Sequence, residues 1–172
     1  EQVVLATGDE VVQARSQGMD VISVATYYRE QPNVILTRKD TGIKTVGDLK
    51  GKKVGIPGEY GSSWLALQAY LASANMTTSD VNVMSIGYTQ TSALSKGDVD
   101  AIVGFANNEA VQLSAAGVDA QAVECDCTIP LVSASLVTTP QWAKDHANEL
   151  KELLAATQEG MTTAVEHPDQ AF

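Results

Sequence analysis

Short apolar runs alternate with amphipathic stretches along this chain. Runs of roughly four to eight residues rich in Val, Ile and Leu are typical of buried strands, whereas apolar residues three or four positions apart are typical of helices. The sequence predicts strands at residues 3–6, 20–25, 33–37, 53–56, 81–86, 99–104, 118–123 and 131–138. Helical patterns fill most of the intervals, so an α/β fold with mainly parallel sheets is expected.

Residues 52–71, KKVGIPGEYGSSWLALQAYL, form the most informative strand-to-helix connection. A strand leads into a Gly- and Pro-rich loop at residues 57–61, and Ser62 or Ser63 is expected to cap the following helix. The free N–H groups at this helix start suit an anionic or carbonyl-bearing ligand. The loop has neither the Gly-Lys-Ser/Thr of a P-loop nor a Gly-x-Gly-x-x-Gly dinucleotide pattern. An ordinary strand-to-helix turn is the alternative interpretation.

Capping and stop signals predict where the other helices begin and end. Candidate N-terminal residues are Asp9, Thr89 and Pro140, and candidate stops are Gly18, Gly97 and Gly117. The longest helix is predicted at residues 149–165, with an apolar stripe of Leu150, Leu153, Leu154, Thr157 and Met161. In sheets with parallel strands, ligands bind beyond the carboxyl ends of the strands. Glycines, polar residues and aromatic residues follow several predicted strands, which is the composition of a small-molecule cleft.

Charge and length narrow the function classes. The 172 residues carry a formal net charge of −10, which argues against nucleic acid and anionic membranes as partners. No apolar run approaches the roughly 20 residues that span a bilayer. The sequence opens directly in a predicted strand without a signal peptide, so a trimmed chain is expected.

The two cysteines are Cys125 and Cys127. In an extended strand their side chains would point to opposite faces, which would strain a mutual disulfide. Zinc pairs usually have at least two intervening residues and a second ligand pair, and neither His146 nor His167 offers matching spacing. We therefore expect two inert, partly buried thiols and no metal site.

Three motifs resemble a known family. Residues 41–55, TGIKTVGDLKGKKVG, resemble the signature of periplasmic binding proteins of the type II fold. Within that group, GIPGEYG at residues 55–61 and KGDVDA at residues 96–101 resemble the NMT1/THI5-like family. The family contains solute-binding proteins of ABC importers for thiamin-pyrimidine precursors, riboflavin, and sulfonates or related compounds. It also contains the fungal enzyme that makes the thiamin pyrimidine.

The resemblance implies two α/β lobes with a ligand cleft between them. Residues 1–36 would be a partial lobe 1, residues 37–138 lobe 2, and residues 139–172 C-terminal helices that return toward lobe 1. Lobe 1 would lack its opening strand and helix. Bending near Thr37 and Thr138 would close the cleft.

The implied ligand-binding residues lie in the loops at the strand ends. They are Thr7, Asp9, Glu10, Tyr27, Glu59, Tyr60, Gly61, Ser62, Ser63, Tyr88, Phe105, Asn107, Asn108 and Glu109. Structural roles are the alternatives: Tyr60 and Tyr88 could pack on their own loops, the two Asn residues could cap a helix, and Glu59 could be a solvated acid. Glu109 is favoured in a first helical turn by the helix dipole alone. Trp64 is expected in the core.

The resemblance implies a solute-binding subunit of an ABC importer that binds a small nitrogen heteroaromatic vitamin or precursor, a thiamin pyrimidine or a riboflavin-like compound, without a cofactor. Its partners would be the ligand and the transporter permease, on the periplasmic or extracellular side, with membrane contact through an upstream lipid anchor. A solute-binding protein of the sulfonate, nitrate or taurine type is one alternative, although the few basic residues in the cleft loops count modestly against sulfonates. A pyrimidine-synthase-like enzyme is a second alternative, but only Cys125 and Cys127 match that enzyme's cysteine-rich, iron-associated motif. A co-inducer-binding domain of a regulator is a third.

Overall fold

A computed structural model of the chain describes residues 1–28, 31–125 and 133–171. The strands in these residues are β1 (Val4–Thr7), β2 (Ile22–Thr26), β3 (Asn33–Arg38), β4 (Lys53–Ile56), β5 (Asn82–Ser85), β6 (Ala101–Phe105), β7 (Ala120–Ala122) and β8 (Ala134–Thr138). The helices are α1 (Gly8–Ser16), α2 (Gly61–Ser73), α3 (Gln90–Lys96), α4 (Glu109–Ala115), α5 (Pro140–Asp145), α6 (Ala147–Glu166) and α7 (Pro168–Ala171). Short 3-10 turns occur at Lys39–Thr41, Val46–Leu49 and Thr78–Asp80.

The strands form two separate sheets. One has the order β1-β8-β2, with both pairs antiparallel. The other has the order β5-β4-β6-β3-β7, in which β4 pairs in parallel with β5 and β6, and β3 pairs antiparallel with β6 and β7. The α/β class is confirmed, and parallel pairing lies where helices α2 and α3 connect successive strands.

Two strands, β3 and β8, pair differently from what the predicted lobe boundaries imply. Strand β3 lies wholly in the five-stranded sheet, and β8 lies wholly in the three-stranded sheet. Along the chain, the change from one sheet to the other therefore lies between β2 and β3 and again between β7 and β8. Local sequence pattern could not place these crossings, because β3 and β8 pair with strands far away in sequence. The division into lobes stays a prediction.

The five-stranded sheet is covered on both faces. Ile35, Val54 and Val103 face α2, where they pack with Leu67 and Leu71. On the other face, a second cluster joins α3 and α4 to the sheet through Leu36, Leu94, Ile102 and Leu113. Ile102 and Val103 are adjacent in β6 and fully buried on opposite faces, as the alternation of a strand requires. Each such side chain stabilises the fold by about 1.5–3 kcal/mol. Trp64 is partly buried against the first cluster, as expected.

Helix α6 contrasts with this core because none of its residues is buried. Its predicted apolar stripe is present, yet Leu153 and Met161 remain more than a third exposed. No helix among the described residues has the length and hydropathy needed to cross a membrane.

The helix starts differ in part from the capping predictions. Thr7, rather than Asp9, is the N-cap of α1, and it forms a capping box with Glu10. Thr89 is the N-cap of α3 by position, but its hydroxyl donates to the carbonyl of Ile86 instead of capping the helix. Pro140 does begin α5, and Thr139 caps that helix.

Candidate functional site

The carboxyl ends of the parallel strands meet at one edge of the five-stranded sheet. The loops after β4, β5 and β6 lie at this edge, because parallel neighbours end on the same side. Helix α1, which follows a strand of the other sheet, contacts α2 beside these loops. Elements connected to both sheets therefore surround the same space.

A cavity of about 400 Å³ occupies this space. Its walls are the first turns of α1, α2, α3 and α4 and the loops that precede α2, α3 and α4. The lining residues are Glu10, Pro57, Tyr60, Gly61, Ser62, Ser63, Tyr88, Gln90, Phe105, Asn108 and Glu109. A second cavity of about 380 Å³ shares Tyr88, Gln90, Asn108 and Glu109 with it and continues between α3 and α4. The volume lies in the range of small-molecule sites.

Two glycines shape the loop between β4 and α2. A Cβ on Gly58 would lie 2.2 Å from Cε1 of Tyr60, so the ring of Tyr60 lies directly over this glycine. Gly61 has a φ of +68°, a left-handed conformation that favours glycine. Tyr60 is the N-cap of α2, so the expectation that Ser62 or Ser63 caps this helix is wrong. Both serines lie in the first turn instead. That turn has no side-chain cap and no acidic residue, which leaves the positive end of the helix dipole uncompensated within α2.

Tyr60 and Tyr88 form a pair at the opening of the cavity. They are 60% and 82% exposed, so the ring surfaces are available for stacking. The hydrogen bond between their side chains raises the pKa of Tyr60 above its usual value, and the charge that Tyr88 gains on ionisation adds to the effect. The two rings belong to different loops, and together they form an aromatic edge of the cavity.

Glu109 is held in place by the loop between β6 and α4. Its Oε2 accepts a hydrogen bond from the backbone N–H of Phe105 at 2.7 Å, and its Oε1 accepts one from Nδ2 of Asn108 at 3.0 Å. A Cβ on Gly104 would lie 2.8 Å from Cβ of Glu109, so only glycine leaves room for this carboxylate. Glu109 is buried and both of its oxygens accept hydrogen bonds. This carboxylate therefore stabilises the loop as well as lining the cavity.

Glu10 reaches the cavity from the other sheet's side. Its Oε2 accepts hydrogen bonds from the backbone N–H of Thr7 at 2.8 Å and from the Thr7 hydroxyl at 3.0 Å. Its Oε1 lies 3.6 Å from the position of a Cβ on Gly61, beside the start of α2. The capping box thus fixes one oxygen and leaves the other next to the uncompensated helix end.

Most of the predicted site residues line the cavity, and five do not. Thr7 caps α1, and Asp9 lies in the first turn of the same helix. Glu59 is exposed in the loop before α2. Asn107 donates from Nδ2 to the hydroxyl of Tyr28 at 3.3 Å, a contact that joins the loop after β6 to the crossing after β2. The claim that these fourteen predicted residues contact a ligand stays a prediction.

Tyr27 lines a different feature. It packs edge-on against Tyr28 and borders a groove of about 490 Å³ between the three-stranded sheet and α6. The other lining residues of this groove include Leu136, Leu154 and Met161. The groove is mainly apolar and lies apart from the carboxyl strand ends.

Pro57 and Gln90 also line the cavity, although neither is among the predicted site residues. Pro57 begins the loop that was predicted to lie in the site, and Gln90 follows the predicted cap Thr89. Including the residue directly after the predicted strand 53–56 and the residue directly after the predicted cap Thr89 would have found both.

Cys125 is disulfide-bonded, so the expectation of a free thiol at this position is wrong. The expectation assumed strand geometry, but β7 ends at Ala122 and Cys125 lies beyond it. Its Sγ is 3.2 Å from the hydroxyl oxygen of Ser73. Cys127 lies outside the described residues. Within residues 1–28, 31–125 and 133–171, no cluster of His, Cys, Asp and Glu side chains could hold a metal ion.

Solved structures of solute-binding proteins share this arrangement of strands and helices. The periplasmic aliphatic sulphonate binding protein SsuA from Escherichia coli superposes with a TM-score of 0.81 at 19% identity, covering 99% of this chain and 58% of that one. This similarity shows a periplasmic-binding-protein fold of type II. The family model described as NMT1/THI5 like matches residues 2–171, so the chain belongs to the NMT1/THI5-like family.

Curated relatives carry the names of both binding proteins and enzymes. The riboflavin-binding protein RibY of Chloroflexus aurantiacus is 31% identical over 166 residues, which are 96% of this chain and 47% of that protein. A 4-amino-5-hydroxymethyl-2-methylpyrimidine phosphate synthase of Legionella pneumophila is 28% identical, covering 94% of this chain and 52% of the enzyme. The formylaminopyrimidine-binding protein of Halalkalibacterium halodurans is 26% identical, and the match covers 95% of this chain and 50% of that protein. The chain therefore spans about half the length of these relatives.

Proposed function

We propose that this chain forms part of the solute-binding subunit of an ABC importer and binds a small nitrogen heteroaromatic compound. The observation that carries the proposal is the composition of the cavity between the strand ends. Aromatic rings of Tyr60, Tyr88 and Phe105 stand beside the amide groups of Gln90 and Asn108 and the carboxylates of two glutamates, and none of the lining residues that the structure describes is basic. Flat rings stack on aromatic faces, and amide and carboxylate oxygens accept hydrogen bonds from ring N–H and amino groups.

The names of two relatives support this ligand class. One is a riboflavin-binding protein and another a formylaminopyrimidine-binding protein, and both ligands are flat nitrogen heterocycles. The structural similarity to periplasmic binding proteins supports an extracytoplasmic location and a transporter permease as partner.

Ligand binding would close the space between the two sheets. Glu10 follows a strand of the three-stranded sheet, whereas the other lining residues follow strands of the five-stranded sheet. A ligand that contacts both sides stabilises the closed arrangement by its differential affinity for it. We expect the chain to bend where it connects the two sheets, between β2 and β3 and between β7 and β8.

A binding assay with matched aromatic variants tests the proposal. The protein is titrated with riboflavin, 4-amino-5-hydroxymethyl-2-methylpyrimidine and the sulfonate MOPS, with thermal unfolding as the readout. A ligand at 100 times its Kd adds about 2.7 kcal/mol to the free energy of unfolding. We expect a shift with one heteroaromatic compound and its loss in Tyr60→Leu and Tyr88→Leu, which remove the flat rings.

Tyr27→Leu is the matched control because Tyr27 borders the apolar groove instead. Loss of binding in this variant, with normal binding in the Tyr60 and Tyr88 variants, would move the site to that groove. Absence of any shift with both heteroaromatic compounds would contradict the proposal.

A sulfonate ligand is the second candidate, and one observation favours it. The start of α2 has no cap and no acidic residue in its first turn, which suits an anion. Two glutamates line the same cavity, and its lining within residues 1–28, 31–125 and 133–171 contains no basic side chain, which disfavours an anion. A thermal shift with MOPS alone would favour this candidate.

An enzyme of the pyrimidine-synthase type is the third candidate, favoured by the relative that bears this name. Its motif match rests on Cys125, which is disulfide-bonded, and on Cys127, outside the described residues. Stoichiometric iron in the purified protein, without a shift by any ligand, would favour the enzyme.

A further inference from the structure

The two carboxylates of the cavity differ in what their oxygen atoms accept. Both oxygens of Glu109 accept hydrogen bonds from the loop that carries it. In Glu10, Oε2 accepts from the backbone and the side chain of Thr7, whereas Oε1 accepts no hydrogen bond from the described residues. Since Glu10 lines the cavity, the protein leaves one carboxylate oxygen with an unused acceptor in the site.

The position of that oxygen is fixed before a ligand arrives. The capping box ties Glu10 to Thr7 through three hydrogen bonds, one of them from the Glu10 backbone N–H to the Thr7 hydroxyl at 3.4 Å. Oε1 is directed toward the start of α2, close to Gly61. A preorganised, half-buried carboxylate next to a helix start forms strong hydrogen bonds, because little conformational freedom is lost on binding.

We propose that Glu10 determines the charge specificity of the cavity. Its Oε1 accepts a hydrogen bond from an N–H group on the edge of the ligand ring, and its negative charge disfavours an anion at the start of α2. The inference rests on the proposed function and adds a residue role to it. The recognised chemistry is an N–H donor on a flat ring, which both a flavin ring and an aminopyrimidine offer.

Glu10→Gln separates the charge of this residue from its structural role. Glutamine at this helix position still completes a capping box with Thr7, so we expect an unchanged melting temperature without ligand. Affinity for the N–H-bearing ring should fall at least tenfold, because the capping box uses the only acceptor oxygen of glutamine and turns its NH2 group, a donor, toward the ring N–H. Binding of MOPS should become stronger in the same variant.

The control variant is Glu159→Gln, which removes one negative charge from the exposed helix α6. It should bind like the wild type, which excludes a general effect of net charge. Riboflavin methylated at its ring N–H gives a second readout when riboflavin is the ligand. When methylation and Glu10→Gln are combined, the fold-loss of affinity should be smaller than the product of the two separate fold-losses. Both changes remove the same hydrogen bond.

The possible outcomes distinguish this inference from the proposed function. Wild-type binding of a heteroaromatic ring with unchanged affinity in Glu10→Gln overturns the inference and leaves the proposed function standing. Equal loss of affinity in Glu10→Gln and Glu159→Gln also overturns it. Absence of heteroaromatic binding by the wild type overturns both.

Discussion

Gly104 shows how the absence of a side chain positions a carboxylate. The residue is the last but one of β6, and Glu109 folds back over it to accept the N–H of Phe105. Any Cβ here would overlap both Cβ and Cγ of Glu109, which lie 2.8 and 2.9 Å from its ideal position. The glycine is therefore required by close approach rather than by a positive φ.

Gly104→Ala should displace Glu109 and lower the free energy of unfolding by about 1–3 kcal/mol, because the site is already filled. Urea unfolding measures the change. Gly47→Ala is the control, since a Cβ there would meet only the Thr45 hydroxyl at an ordinary 3.8 Å. Equal stability of the two variants would show that Glu109 moves aside without loss.

Tyr60 and Tyr88 permit a prediction about pH. The raised pKa of Tyr60 depends first on its hydrogen bond with Tyr88, so Tyr88→Phe should lower that pKa toward the usual value. Because the folded pKa lies above the unfolded one, this pair stabilises the fold below about pH 10, and the contribution is lost as the pH rises through the folded pKa.

NMR of ¹³C-labelled tyrosine follows each phenol separately. Tyr70 serves as the internal reference, because burial raises its pKa and Tyr88→Phe should leave it unchanged. A Tyr60 titration that is the same in wild type and variant would show that the pair is not formed in solution.

At the scale of elements, α6 differs from α2 in how it is held. Four residues of α2 are buried against the sheet, whereas α6 has none. Local opening needs less free energy where few apolar contacts are lost. We expect α6 to open independently of the five-stranded sheet.

Gly160→Ala tests this independence. Gly160 lies inside α6 with nothing within 4 Å of its Cβ position, so alanine should favour the helix by about 0.5–1 kcal/mol. Hydrogen exchange should show severalfold greater protection in α6 and unchanged protection in β6. Gly117→Ala should instead lower the free energy of unfolding, because Gly117 has a φ of +72° that alanine rarely adopts. Increased protection throughout the chain after Gly160→Ala would mean that α6 unfolds together with the sheet.

The elements were largely predictable from sequence, and their partners were not. Strand-length apolar runs and the glycines at positions 97 and 117 predict most strands and helix ends, because those signals are local. The cap of α2 was misassigned because the positive φ of Gly61 starts the helix before either serine. Placing Glu10 opposite Gly61 depends on contacts between residues far apart in sequence. The strand-end rule nevertheless found most of the cavity lining.

At the scale of the whole molecule, the site depends on the relation between two sheets. The five-stranded sheet supplies three loops, and the three-stranded sheet supplies the helix that carries Glu10. The side-chain hydrogen bond from Asn107 to Tyr28 joins the same two parts outside the cavity lining. Relative movement of the sheets would therefore change the distance between Glu10 and α2 more than any distance within either sheet.

The central place of β8 in the three-stranded sheet has a consequence for the order of folding during synthesis. All strands of the five-stranded sheet lie within residues 33–122, so this sheet can form while the ribosome is still adding the remainder. In the described part of the chain, β1 and β2 each pair with β8 and not with each other. They must wait for a strand more than a hundred residues later, and such distant pairing is slow. The strand that leads into the helix of Glu10 consequently finds its partner only after residue 138 has emerged.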